Sequence, residues 1–194
     1  MDKNVYKVDF VGHEMSPIAK DYPNVDWIKA GITLLREQGP QSVSIENICE
    51  IMEKTKEDFN IRFNGCESFL YSLLDYWYEK ETLAYIDMME EVGGSAKENL
   101  FAMVEIIHNA DKADEIAIRN LALLCPNARD ALAKVDRTRI DVGIGLFREI
   151  GFSENEAKSR AKILYTSSIG TEYTTISSSL EQKHAMCEIL IQKD

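Results

Sequence analysis

The sequence SVSIENICEIMEKTKEDFNIRFNGCESFL, from Ser42 to Leu70, predicts two short helices and the start of a longer third one. Apolar residues recur at helical spacing in the first helix, and Ser44 is placed to cap its N-terminus. Thr55 is placed to cap the second helix, whose Phe59 and Phe63 lie four residues apart on one face. Short helix, turn and short helix is the pattern of the helix-turn-helix unit, whose second helix enters the major groove of DNA.

The residues of this stretch resemble the TetR family of bacterial repressors, whose pattern is roughly I-A-x-x-A-G-V-S-K-G-T-F-Y-x-H-F-x-S-K-E-x-L. The matching residues are Ile48-Cys49, Lys54-Thr55-Lys56, Phe59 to Phe63 and Glu67 to Leu70, without a gap. The segment from Trp27 to Gly39 also looks like the first helix of that family. This resemblance covers about residues 24–75.

A second, looser resemblance to the same family lies between residues 136 and 170. C-terminal domains of the family often carry L-F-x-E-x-G-F-S followed by E-x-E-A, and this chain has a similar run from Leu146 to Ala157. The resemblance implies an all-α fold of about nine helices. It implies a three-helix helix-turn-helix DNA-binding domain at 24–70 and a helical ligand-binding and dimerisation bundle at 71–194. Residues 1–23 lack helical periodicity and contain Pro17 and Pro23, so an N-terminal arm or a loose terminus is expected there.

Helical periodicity continues to the end of the chain, and no strand-like alternation interrupts it. A long helix is expected over 66–91, about 39 Å in length. Ser153 and Glu156 predict a capping box at the start of another long helix. The remaining expected helices cover 24–38, 96–109, 112–124, 127–150, 153–179 and 180–192.

Composition places the 194 residues in the ordinary globular range, with 45% hydrophobic and 28% charged residues and a net charge of -11. No apolar run approaches the roughly 18–20 residues that a membrane span needs, and the first residues contain no signal-peptide pattern. The cysteines have no paired spacing, which favours a reduced, cytoplasmic protein. They are Cys49, Cys66, Cys125 and Cys187.

The predicted DNA-contacting residues lie on and just before the second short helix. A solvated helix face is the alternative interpretation, but the helix-turn-helix spacing favours phosphate and base contacts. The set is Ser44, Lys54, Thr55, Lys56, Glu57, Asp58, Asn60 and Arg62.

This helix departs from the family pattern in its charge. Glu57 and Asp58 follow Lys56, and Glu53 stands where a turn glycine is usual. Residues 24–75 contain five basic and nine acidic side chains, a net charge of -4. Because carboxylates repel phosphates, the sequence predicts weak nonspecific DNA binding and tight binding only to a particular operator.

The second domain is predicted to bind a small apolar or aromatic effector. Most of its aromatic and methionine side chains are expected in the core, and a minority with a polar group on an apolar face are expected to line a cavity. The predicted ligand-binding residues are Tyr85, Met89, Phe101, His108, Phe147, Tyr165 and Tyr173.

No catalytic motif is present, and neither an enzymatic activity nor a cofactor or metal site is predicted. The resemblance implies a ligand-responsive repressor that binds double-stranded operator DNA as a homodimer through its last two helices. The alternative is a TetR-like ligand-binding or protein-interaction module with weakened or lost DNA binding.

Overall fold

The computed structural model describes residues 22–193, except for the side chains of residues 90–92. The predicted N-terminal arm lies outside the described residues, apart from Tyr22 and Pro23. The helices in this part of the chain are α1 Val25–Gln38, α2 Ile45–Met52, α3 Lys56–Arg62, α4 Gly65–Tyr78, α5 Ala84–Val92, α6 Ala96–Asn109, α7 Ala113–Leu124, α8 Pro126–Ile150, α9 Glu154–Glu172 and α10 Leu180–Ile191.

The expected all-α fold is confirmed, since residues 22–193 contain no strand. The long helix predicted over 66–91 is present, but a π-helical turn, Glu79–Leu83, separates α4 from α5. If α4, the π turn and α5 are counted as one long helix, residues 22–193 contain the nine helices that were expected. No helix of the described chain is long and apolar enough to cross a membrane.

The chain forms two compact units. Among the described residues, the first unit consists of 22–83 and 111–135, and the second of 84–110 and 136–193. This division by contacts differs from the predicted division by function at residue 70, which stays a prediction.

The core of the first unit contains an aromatic cluster built on α1. Trp27 of α1 contacts Phe59 at a ring-centroid distance of 5.8 Å, and Phe69 of α4 contacts Phe63 at 5.0 Å. A side chain on Gly31 would place its Cβ 2.6 Å from Phe69 Cζ, so α1 and α4 approach closely only because this residue is glycine. The cluster therefore fixes α3 and α4 against α1.

The core of the second unit lies between α6, α8, α9 and α10. Leu100, Phe147, Ala157 and Cys187 are fully buried there. Ser153 caps α9 in the predicted capping box with Glu156.

The helix predicted over 153–179 is wrong at its C-terminal end, because α9 stops at Glu172. Residues 173–177 are exposed and lie outside any helix. The segment is rich in serine, threonine and β-branched residues, whose hydroxyls hydrogen-bond nearby backbone and compete with the helix. Thr174, for example, donates its hydroxyl to the Thr171 carbonyl.

Candidate nucleic-acid interface

The helix-turn-helix unit is built from α2, a tight turn and α3. Ser44 caps α2 by accepting a hydrogen bond from the Asn47 backbone N–H at 3.2 Å. Thr55 caps α3 in a reciprocal capping box with Asp58. Both caps satisfy orphan N–H groups at helix starts, so the two short helices begin where the sequence predicts.

The turn between the two helices passes through Glu53 in the left-handed region. This residue has φ 51° and ψ 44°, and the next N–H, of Lys54, donates to the Cys49 carbonyl at 2.9 Å. This is the backbone pattern of a Schellman turn, in which glycine usually takes the left-handed position. The turn therefore has the geometry that glycine usually provides, although its residue is a glutamate.

The inner face of α3 is anchored and its outer face is free. Phe59 and Phe63 are buried in the aromatic cluster. Glu57 and Ile61 lie on the opposite, exposed face, and Asn60 is exposed at its edge. Neither Glu57 nor Asn60 has a hydrogen-bond or ion-pair partner among residues 22–193. The geometry presents these three side chains outward from the helix-turn-helix unit.

Two of the three cations that would contact phosphates, Lys56 and Arg62, are paired with carboxylates of the same unit. Lys56 forms an ion pair and hydrogen bond with Glu46 of α2. The hydrogen bond from Lys56 lowers the pKa of the Glu46 carboxyl, and the same pair raises the pKa of Lys56.

Arg62 is held in a similar way. Its guanidinium donates to the Asp58 carbonyl at 2.7 Å, lies 3.9 Å from the Asp58 carboxylate and stacks over Trp27 at 5.4 Å. Lys54 differs, because it is exposed and has no ion-pair partner in the described chain. Most of the positive charge of the predicted interface is thus neutralised within the protein.

Asp58 has a structural role beyond its charge. Hydrogen bonds from the backbone N–H and the hydroxyl of Thr55 lower the pKa of its carboxyl. This carboxylate stabilises the start of α3, whereas Glu57 points outward without a partner. From the sequence, Glu57 and Asp58 are both expected to repel phosphates. In the structure, Asp58 caps α3 and Glu57 is exposed.

The predicted ligand-binding residues lie in varied environments of the second unit. Phe147 and Met89 are buried in its core. Phe101 packs edge-on against His184 at 5.2 Å. The Tyr165 hydroxyl donates to the Asp136 carboxylate at 2.5 Å. Tyr85 and His108 are partly exposed, and Tyr173 follows α9 and is exposed.

A cleft in the second unit is lined by none of these predicted residues. Val104, Leu164 and Met186 form its apolar side, and Lys183 lies among the hydroxyls of Ser167, Ser168, Thr171 and Ser178. Its free volume of about 20 Å³ holds little more than one water molecule. The cleft is more polar than the predicted apolar effector site, because it contains an ammonium group.

Sequence reasoning missed two residues of the candidate interface. Glu46 lies ten residues before its partner Lys56, on a different helix, so no local spacing indicates the pair. Ile61 could have been found from the helical period, since it lies two residues after Phe59 and therefore faces away from the core.

Several solved structures share the fold of this chain at low sequence identity. A protein from Pseudomonas aeruginosa PAO1, described as a transcriptional regulator, matches with a TM-score of 0.73 at 15% identity over 89% of this chain and 91% of that chain. The reduced form of NemR from E. coli matches with a TM-score of 0.67 at 16% identity, over 87% and 95% of the two chains. A TetR/AcrR family regulator from Thermobifida fusca matches with a TM-score of 0.62 at 17% identity, over 87% and 96%. No family model and no curated protein matches the sequence.

Proposed function

Because the chain has the fold of the TetR/AcrR regulators, we propose that it is a ligand-responsive transcriptional repressor that binds operator DNA as a homodimer. The observation that carries the proposal is the outer face of α3, where Glu57, Asn60 and Ile61 are exposed on a helix anchored by buried aromatic rings. A rigid helix with an uncommitted outer face suits insertion into the major groove.

The charges of the unit indicate how this repressor would bind. Phosphate contacts provide nonspecific affinity, and here Lys56 and Arg62 are already paired with carboxylates. Base contacts provide sequence discrimination, and Glu57 and Asn60 are free to make them. The protein therefore binds random duplex weakly and reserves tight binding for one operator.

Dimerisation is supported by exposed apolar residues on α9 and α10. Ile163 and Ile189 are more than half exposed, and Met186 is more than one third exposed. Paired copies of these helices in a two-fold arrangement would cover them. The dimer would present two recognition helices to two half-sites of the operator.

The effector would bind in the second unit. The cleft between Val104 and Lys183 provides apolar contacts, hydroxyls and one ammonium. It would have to widen, since drug-sized ligands occupy several hundred Å³.

A gel shift with the DNA that flanks the gene of this protein tests the proposal. The full chain should form a complex that excess random duplex does not displace at about 150 mM salt. Asn60→Ala should weaken this complex about tenfold or more, because an amide contact to a base contributes on the order of 1–3 kcal/mol. Asn109→Ala, at an exposed asparagine of α6, is the matched control and should bind as the parent does.

The alternative is a ligand-binding or protein-interaction module that has lost operator binding. It is favoured by the net charge of -4 over residues 24–75 and by the paired cations of α3. Selection of bound sequences from a random duplex library at low salt separates the two functions. Enrichment of a palindromic sequence supports the repressor, and the absence of any enrichment supports the alternative.

A further inference from the structure

Ile61 is the most prominent apolar residue of the candidate interface. Its side chain is 81% exposed, and it is absent from the core to which its neighbours Phe59 and Phe63 belong. Single exposed apolar residues are common on protein surfaces. This one lies on the outer face of a predicted recognition helix, beside two exposed polar side chains, Glu57 and Asn60.

We propose that Ile61 reads the methyl group of a thymine at a fixed position in each operator half-site. The inference rests on the proposed function, and it names the base that the α3 surface selects. The thymine methyl is the one apolar group that a base pair presents in the major groove, and an aliphatic side chain is the group that recognises it. Desolvation of both surfaces favours the contact, and a cytosine at that position offers no methyl.

The neighbours of Ile61 define what lies next to this thymine. Asn60 can bond an adenine edge through its amide, and Glu57 can accept a hydrogen bond from the cytosine amino group. Glu57 and Ile61 are separated by about 6 Å along the helix axis at 1.5 Å per residue. That distance corresponds to about two steps of 3.4 Å between bases. The three side chains thus read a window of about three base pairs.

Because two of the three cations are paired, discrimination between DNA sequences depends more strongly on the apolar contact of Ile61. Lys56 and Arg62 are held by carboxylates, and the attraction of the remaining cation, Lys54, for phosphate is the same for every sequence. Discrimination then depends on groups that distinguish bases, and Ile61 is the largest of these.

The test removes only the methyl group. An operator is first obtained with the full chain by selection from random duplex at low salt, and each thymine is then replaced by deoxyuridine in turn. At one position of a half-site, replacing thymine by deoxyuridine should weaken binding about fourfold, as expected for the loss of one buried methyl. Replacing the equivalent thymines of both half-sites should weaken binding about 15-fold. All other thymines should tolerate the replacement.

Two variants assign the effect to its residue. Ile61→Ala should bind the thymine and uracil operators equally, and its circular dichroism should match the parent because the side chain is outside the core. Ile51→Ala, at another exposed isoleucine of the same unit that is 47% exposed, should keep the full preference for thymine.

The outcomes separate the inference from the proposed function. An operator that shows no uracil effect, or an effect that persists in Ile61→Ala, overturns the thymine assignment and leaves the repressor intact. If selection enriches no sequence, the proposed function itself fails, and the assignment fails with it.

Discussion

Glu53 has a backbone conformation that its residue type disfavours but that the fold requires. Among the described residues it is the one with a positive φ that is not glycine. A side chain in the left-handed region costs roughly 1–2 kcal/mol, because Cβ approaches the following carbonyl. The turn adopts this conformation nevertheless, since the hydrogen bonds that close α2 and the burial of Phe59 require it.

The first prediction follows from this strain. Glu53→Gly should raise the free energy of unfolding by up to about 1 kcal/mol. Glycine adopts the left-handed conformation without strain, but it loses more conformational entropy on folding than glutamate does, which offsets part of this gain. Urea denaturation measures the change. Glu53→Ala removes the same charge but keeps a Cβ, so an equal gain in this control would attribute the effect to charge and contradict the strain argument.

The second prediction concerns the ion pair between Glu46 and Lys56. Glu46→Gln should release the Lys56 ammonium and tighten binding to random duplex about fivefold at low salt, which is the size of one close charge interaction in water. The slope of log affinity against log salt should steepen by about 0.9, because one more phosphate is neutralised. Fluorescence anisotropy with a labelled duplex measures both quantities.

Glu50→Gln is the control for this variant. Glu50 is an exposed acid on the same helix and has no ion-pair partner in the described chain, so its replacement changes the net charge equally but releases no cation. If both variants tighten binding to the same extent, the ion pair does not restrain Lys56.

At the scale of helices, the sequence predicts starts better than ends or irregular turns. Ser44, Thr55 and Ser153 cap helices as predicted, because an N-cap is a local pattern of three or four residues. The end of α9 at Glu172 and the π turn at Glu79–Leu83 depend on packing and lack such a pattern. The Glu46–Lys56 pair depends likewise on how two helices meet.

The third prediction uses the capping carboxylates. Hydrogen bonds from Ser153 lower the pKa of the Glu156 carboxyl, and those from Ser95 lower that of Glu98. A lowered folded-state pKa means that the stabilisation is complete above the unfolded pKa of about 4.3 and is lost as pH falls through the lower folded value. Glu156→Gln keeps the hydrogen bonds but does not titrate, so it should unfold at a lower temperature than the parent near pH 7. The difference should vanish near pH 2.

In α10 the capping box pairs Ser179 with Gln182, so a carboxylate can be introduced at this cap where none is present. Gln182→Glu should raise the thermal midpoint near pH 7 and lose that gain in acid, as followed by circular dichroism. A gain that does not depend on pH would show that charge at the cap is not its source.

At the scale of the whole molecule, the exposed apolar residues of α9 and α10 give the fourth prediction. Light scattering at micromolar concentration should give twice the chain mass of 22.1 kDa. Ile189→Glu, at a side chain that is 65% exposed, should shift the protein toward monomer, because two-fold symmetry places both new charges in one interface.

Leu123 supplies the control for the dimer. It is 73% exposed at the end of α7, in the first unit. Leu123→Glu should leave the mass at that of the dimer. A parent protein that is a monomer at micromolar concentration would contradict the assembly, and so would an Ile189→Glu dimer as stable as the parent.

The π turn has a consequence for how this chain is compared with other sequences. It ends at Leu83, the residue at which the first unit gives way to the second. A π turn accommodates one residue more than an α-turn, so each residue after it is rotated by about 100° from its position on an unbroken helix. A homologue that lacks the turn would align with this chain only after a one-residue gap between 79 and 83. An ungapped alignment would pair core residues of α5 with surface residues of the homologue. The sequence similarity of the long helix would then look lower than it is, although the two proteins have the same fold there.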